Sequence, residues 1–211
     1  MSSRSLLFGL MALNALLLGG AIMAFEMVSS RFISPYFGSG IFAWGAIIAT
    51  VLTGMSAGYI VGGLLADRLK NVGWFGVAVI AAGALVAATP GLVNLSFPYL
   101  MDNVSDVRAA SLYSALLILL LPTFVLAMHS PFEIRVLLRS TATAGRTVGI
   151  MNGIATFGAI LGTLGTSFFL IPSFGSRALA LGIGAVVALA GLIYVAVGMT
   201  RRTADHGTEV S

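Results

Sequence analysis

Cysteine is absent from the 211 residues, which excludes a disulfide framework, a thiolate nucleophile and any Cys-based metal site. Charge is nearly as scarce: Asp, Glu, Lys and Arg make up 9% of the chain, against roughly 25% in an ordinary soluble domain. Histidine occurs only at His129 and His206, so no metal site is expected. No Ser-His-Asp order and no Gly-x-Ser-x-Gly elbow occurs, so no catalytic residue is expected. Glycine-rich stretches lie in apolar runs, without the strand that a phosphate-binding loop needs, so no cofactor is expected either. The net charge of +4 comes from basic residues scattered at the ends of apolar runs. That pattern does not point to nucleic acid.

What the chain does have is apolar length. Hydrophobic residues make up 58% of it, and mean hydropathy is +1.04. Too few polar residues remain to coat a soluble core, so the expected class is an all-α integral membrane protein whose first partner is the lipid bilayer. A run of ~20 apolar residues crosses ~30 Å of hydrocarbon. Six such runs are predicted, at about 6–28, 41–66, 72–95, 111–130, 147–171 and 178–199, followed by a disordered tail over 201–211. The third is expected to bend or end near Pro90-Gly91, and the fourth contains Pro122. The first is longer than a signal-peptide core and reads as a retained helix. Placing the N-terminus in the cytoplasm puts Arg4, Arg68, Lys70, Arg135, Arg139, Arg146, Arg201 and Arg202 inside. Only Arg31, Arg108 and Arg177 are then outside. That asymmetry predicts a bacterial inner-membrane protein with both termini cytoplasmic.

Helices in lipid associate through close fit, which small residues permit. Gly54, Gly58 and Gly62 recur every four residues and predict one packing groove on the second helix. The fifth carries two such pairs, Gly149 with Gly153 and Gly158 with Gly162, and Gly182, Gly184 and Gly191 mark the sixth.

Polar residues within the spans are the candidates for chemistry. Glu26 reads as the only acid in the apolar part of a helix, and so as a cation or proton site or as an anchor paired with Arg31. Asn14 lies near mid-depth on the same helix, where an interhelical hydrogen bond is the simpler reading. Thr50, Thr53, Ser56 and Tyr59 line the second helix, where hydroxyls can bond their own backbone. His129 is a proton-relay candidate. Glu133 lies four residues later, but Pro131 reads as a break between them, so a bond from His129 to helix-end carbonyls is expected.

The run from Glu26 through Arg31, Pro35 and Tyr36 to Gly38, the stretch Gly58 to Arg68, Ser130-Pro131-Phe132, Gly149 to Gly162 and Leu170 to Gly175 together resemble one family. They are similar to the membrane domain of fused major-facilitator/spermidine synthases, over nearly the whole chain. The resemblance implies a polyamine connection and makes Glu26, Arg31, Asn14 and Tyr36 substrate-binding candidates. A chain ending at Ser211 has no room for the family's soluble aminopropyltransferase domain, so synthase chemistry is carried to no residue here. Gly63, Asp67 and Arg68 look like a truncated major-facilitator loop motif, and six helices are half such a fold. Two readings follow. One is a membrane subunit for a separate spermidine-synthase-like soluble protein, docking near Arg135, Arg139 and Arg146. The other is a transporter of a polyamine or other cationic amine, working as a homo-oligomer of half-units. A purely structural subunit of a larger membrane complex is a third.

Overall fold

The computed structural model describes residues 3–69, 71–138 and 143–208, with side chains from Ser5 to Thr200 within those ranges. The roles expected of Arg4, Lys70, Arg139, Arg201 and Arg202 therefore lie outside the described side chains, as does the end of the tail.

Every element among the described residues is helical. Helix α1 spans Ser3–Phe37, α2 Ile41–Arg68 and α3 Gly73–Asn103. A fourth stretch is built from α4 (Val107–Ala115), a π-helical turn (Leu116–Leu120), α5 (Leu121–Ala127) and α6 (His129–Leu137). Then come α7 (Ala144–Gly165), a second π-helical turn (Thr166–Leu170) and α8 (Ile171–Thr208).

Five stretches are long and apolar enough to cross a bilayer, not the six expected. The difference lies at the C-terminal end. The runs predicted at 147–171 and 178–199 form one helical stretch, Ala144–Thr200, of 57 residues. Gly175 breaks it, with φ 70° and ψ 158°, a backbone conformation open to glycine because it has no Cβ. Helix α8 continues to Thr208, past the point at 201 where a disordered tail is expected.

Prolines do not end helices where the sequence suggests. Helix α3 runs through Pro90 and Pro98 to Asn103, so it does not end near Pro90-Gly91, and most of the connection between the third and fourth predicted runs is helix. The π turns end two residues before Pro122 and Pro172. A wider turn is one way to absorb the ring and the missing N–H. Thr123 Oγ1 donates to the Leu119 carbonyl at 2.7 Å, satisfying an acceptor in that region.

Small residues set the packing. The groove of Gly54, Gly58 and Gly62 holds the backbone of Leu120, Phe124 and Met128. A Cβ at Gly158 would overlap the Leu16 carbonyl, and one at Gly162 the Gly20 carbonyl, so α7 lies directly on α1. Gly76 meets Gly191 and Gly83 meets Gly184 where α3 crosses α8. Gly149, Gly153 and Gly182 have open space where a Cβ would stand. Helix α1 is the hub: Met11, Ala15, Leu18, Phe25, Val28 and Ile33 are all fully buried along it. The outward faces carry Leu52, Ile60, Leu95, Phe168 and Phe169, all exposed and apolar. An apolar exterior around a close-packed helical interior is the architecture of a multi-pass membrane bundle.

Two ends follow from the turns. At the near end, the α2–α3 turn lies beside Gly198 and the end of α6. At the far end, Tyr36 of α1, Asn94 of α3 and the Gly175 break come together.

Candidate functional site: a buried polar cluster

The interior toward the near end holds four polar side chains from three helices. Helix α6 begins at His129, so Pro131 falls in its first turn. Proline is tolerated there because the first N–H groups of a helix have no partner within it. The reading of Pro131 as a break is thus corrected: His129 and Glu133 stand one turn apart on one helix face. His129 Nδ1 lies 3.2 Å from Glu133 Oε2, and both side chains are 3% exposed or less. The expected bond from His129 to helix-end carbonyls is replaced by this pair.

The second carboxylate oxygen is also used. Tyr194 of α8 donates its hydroxyl proton to Glu133 Oε1 at 2.6 Å, and Tyr194 is fully buried. Asn14 of α1 is fully buried too. Its Nδ2 donates to the Ala190 carbonyl at 3.2 Å, an interhelical bond. Asn14 Oδ1, by contrast, has no donor among the described residues. An aromatic wall closes one side: Phe75 stacks on Phe132 at 4.3 Å between centroids and meets Tyr194 edge-on at 5.0 Å.

The chemistry follows from the donor and acceptor inventory. Glu133 accepts through both oxygens when ionised. Tyr194 ties the carboxylate to α8, and Asn14, bonded to the same helix at Ala190, carries a carbonyl oxygen with no donor among the described residues. The contacts of Glu133 with His129 and Tyr194 are shielded from solvent, where polar interactions are stronger than in water.

The residues singled out from the sequence are distributed differently. Glu26 is 8% exposed and forms no ion pair or hydrogen bond with a described residue, so its expected partner Arg31 does not hold it. It sits twelve residues beyond Asn14, about 18 Å further along α1, so it is not part of the cluster. Nor is it the only acid inside a span, because Glu133 is more deeply buried. Arg31 and Tyr36 line a far-end cleft. Asp67 pairs with Arg135 at 2.8 Å, tying the end of α2 to α6, while Gly63 has open space around it and Arg68 is exposed. On α2, Thr53 returns its hydroxyl to the Ala49 carbonyl at 2.7 Å, whereas buried Thr50 finds no partner among the described residues.

Sequence reasoning missed Glu133 and Tyr194 as site residues. The His129–Glu133 spacing was a usable signal once Pro131 is placed in a first turn. Nothing marks Tyr194, an aromatic residue in an apolar run, until α8 lies beside α6. No protein-family model, curated protein or solved structure matches the chain.

Proposed function

We propose that this chain is a multi-pass membrane carrier that moves a small cationic amine in linkage with protons, using the buried cluster of Asn14, His129, Glu133 and Tyr194. The observation that carries the reading is Glu133, a carboxylate buried in a bundle of apolar helices and held by donors from two elements. Ionisable groups inside a membrane protein are expensive and mark ion or proton pathways. Asn14 Oδ1 adds a free acceptor beside them, suited to an ammonium N–H.

Six crossings fit this reading better than five. A straight helix of 57 residues would be about 86 Å long, nearly three times a ~30 Å hydrocarbon core. A fold-back at Gly175 gives two ordinary spans, and the six helices then resemble half of a major-facilitator fold, completed by a second copy. The distribution of Lys and Arg supports an inner-membrane setting with both termini in the cytoplasm. The cysteine-free sequence gives a clean topology test. Ser173→Cys should react with an impermeant maleimide from the same side as Ser39→Cys, and opposite to Asn71→Cys. No labelling of Ser173→Cys, or labelling from the Asn71 side, would rule out the sixth crossing.

The transport test is flux in liposomes. Purified protein should acidify or alkalinise the lumen when an amine gradient is imposed, and Glu133→Gln should abolish this while keeping the fold. Amine uptake that is equal with and without the protein would remove the proposal.

A second reading is supported by the near end. A cleft of about 990 Å³ lies there between the α2–α3 turn and α6, lined by Asp67, Trp74, Phe132 and Arg135. It is a place where a soluble partner of the spermidine-synthase-like type implied by the resemblance could dock. Isolation of the tagged chain from native membranes in mild detergent should bring that partner down in stoichiometric amount. A clean homo-oligomer would leave the carrier reading alone.

A further inference from the structure

The far-end cleft has a different chemistry from the buried cluster. Its volume is about 490 Å³, and its polar lining is Arg31, Tyr36, Asn94, Ser176 and Arg177. Two arginines line one space with no carboxylate among the lining residues. Arg31 makes no ion pair with any described acid, including Glu26 five residues before it. Arg177 has a long contact, 3.5 Å, from its Nη2 to the Asn94 side-chain oxygen Oδ1. Both arginines are exposed, so neither is held by the fold.

The backbone adds to the same field. Gly175 breaks the helix immediately before Ser176 and Arg177. The resumed helix therefore starts beside the cleft, and a helix start carries partial positive charge. Arginine's planar fork suits phosphate oxygens, and two forks beside a helix start form a recurrent phosphate-binding arrangement. The cleft sits where α1, α3 and α8 meet at one end of the bundle.

We propose that this cleft binds a phosphate-bearing anion between Arg31 and Arg177, with Tyr36, Asn94 and the start of the resumed helix as hydrogen-bonding partners. The anion bridges α1 to α8 across the Gly175 break. Two sources share this chemistry: an anionic phospholipid headgroup and a soluble phosphate.

The test uses the full chain in nanodiscs of phosphatidylcholine with and without phosphatidylglycerol. Retained lipid is read by native mass spectrometry, and inorganic phosphate is titrated calorimetrically in the phosphatidylcholine discs. Phosphatidylglycerol retained by the wild type and lost in Arg31→Gln/Arg177→Gln supports the site with a lipid occupant. Phosphate binding that disappears in the same variant supports it with a soluble one. Each single substitution should weaken binding about tenfold, the loss of one charge-assisted contact. Arg177→Lys, which keeps the charge and removes the fork, guards against a misfolded double variant and should fall between wild type and Arg177→Gln. Binding of neither anion, or equal binding by the wild type and the double variant, overturns the proposal.

Discussion

Four glycines on α7 look alike in sequence and should behave in opposite ways when replaced by alanine. Gly149 and Gly153 are spaced by four, as are Gly158 and Gly162. At Gly149 and Gly153 a new Cβ meets nothing within 4 Å. Alanine there relieves the poor helix propensity of glycine, a gain of up to about 1 kcal/mol. At Gly158 and Gly162 the Cβ falls on the carbonyls of Leu16 and Gly20. Backbone cannot step aside as a flexible side chain does, so α1 and α7 must separate, an overpacking penalty of about 1–3 kcal/mol. The two pairs should therefore differ by about 2–4 kcal/mol per site. Unfolding by steric trapping in bicelles, or by sodium dodecyl sulfate at fixed protein concentration, reads this difference. If Gly158→Ala is as stable as Gly149→Ala, α7 does not lie on α1 as described and the reasoning fails.

Other substitutions probe the interior and the ends. Tyr194→Phe leaves the Phe75 contact and removes the donor to Glu133 Oε1, so it should destabilise the protein by about 1–3 kcal/mol. With Glu133→Gln in a double-mutant cycle, the coupling energy should be clearly non-zero, and additive single effects would contradict a direct bond. Asp67→Asn should matter little, less than about 1 kcal/mol in thermal unfolding, because the pair with Arg135 is exposed and screened by salt. A larger loss that persists in high salt would mean this contact is buried in a larger assembly. Gly175→Ala places a side chain at positive φ and should destabilise by about 1–3 kcal/mol; an unchanged melting temperature would argue against the break.

Helical class and approximate span positions were legible because lipid imposes one rule on every residue of a span: be apolar and satisfy the backbone locally. The packing groove of Gly54, Gly58 and Gly62 was legible for the same reason, since its signal is periodic. Which glycines on α7 touch a neighbour was not, because that depends on the rotation of α7 about its axis. The buried cluster was only half legible. Asn14 and His129 announce themselves by polarity, but Glu133 was discounted because Pro131 was assigned to a helix interior instead of a first turn. Tyr194 becomes polar in meaning only when α8 brings its hydroxyl to Glu133. Glu26, the most conspicuous residue in the sequence, stands apart from that cluster because helical rise separates it from Asn14.

The bond from Asn14 to the Ala190 carbonyl spans 176 residues of chain, which has a meaning in time as well as in space. Synthesis at ~5–20 residues per second delivers Ala190 about 10–35 s after Asn14. Through that interval the α8 carbonyl that receives the Asn14 amide has not yet been made. Helix α1 is thus made well before the segment that completes its surroundings. An incomplete chain would present an unpaired polar group to lipid or to the insertion machinery, a local mark by which unfinished copies differ from finished ones.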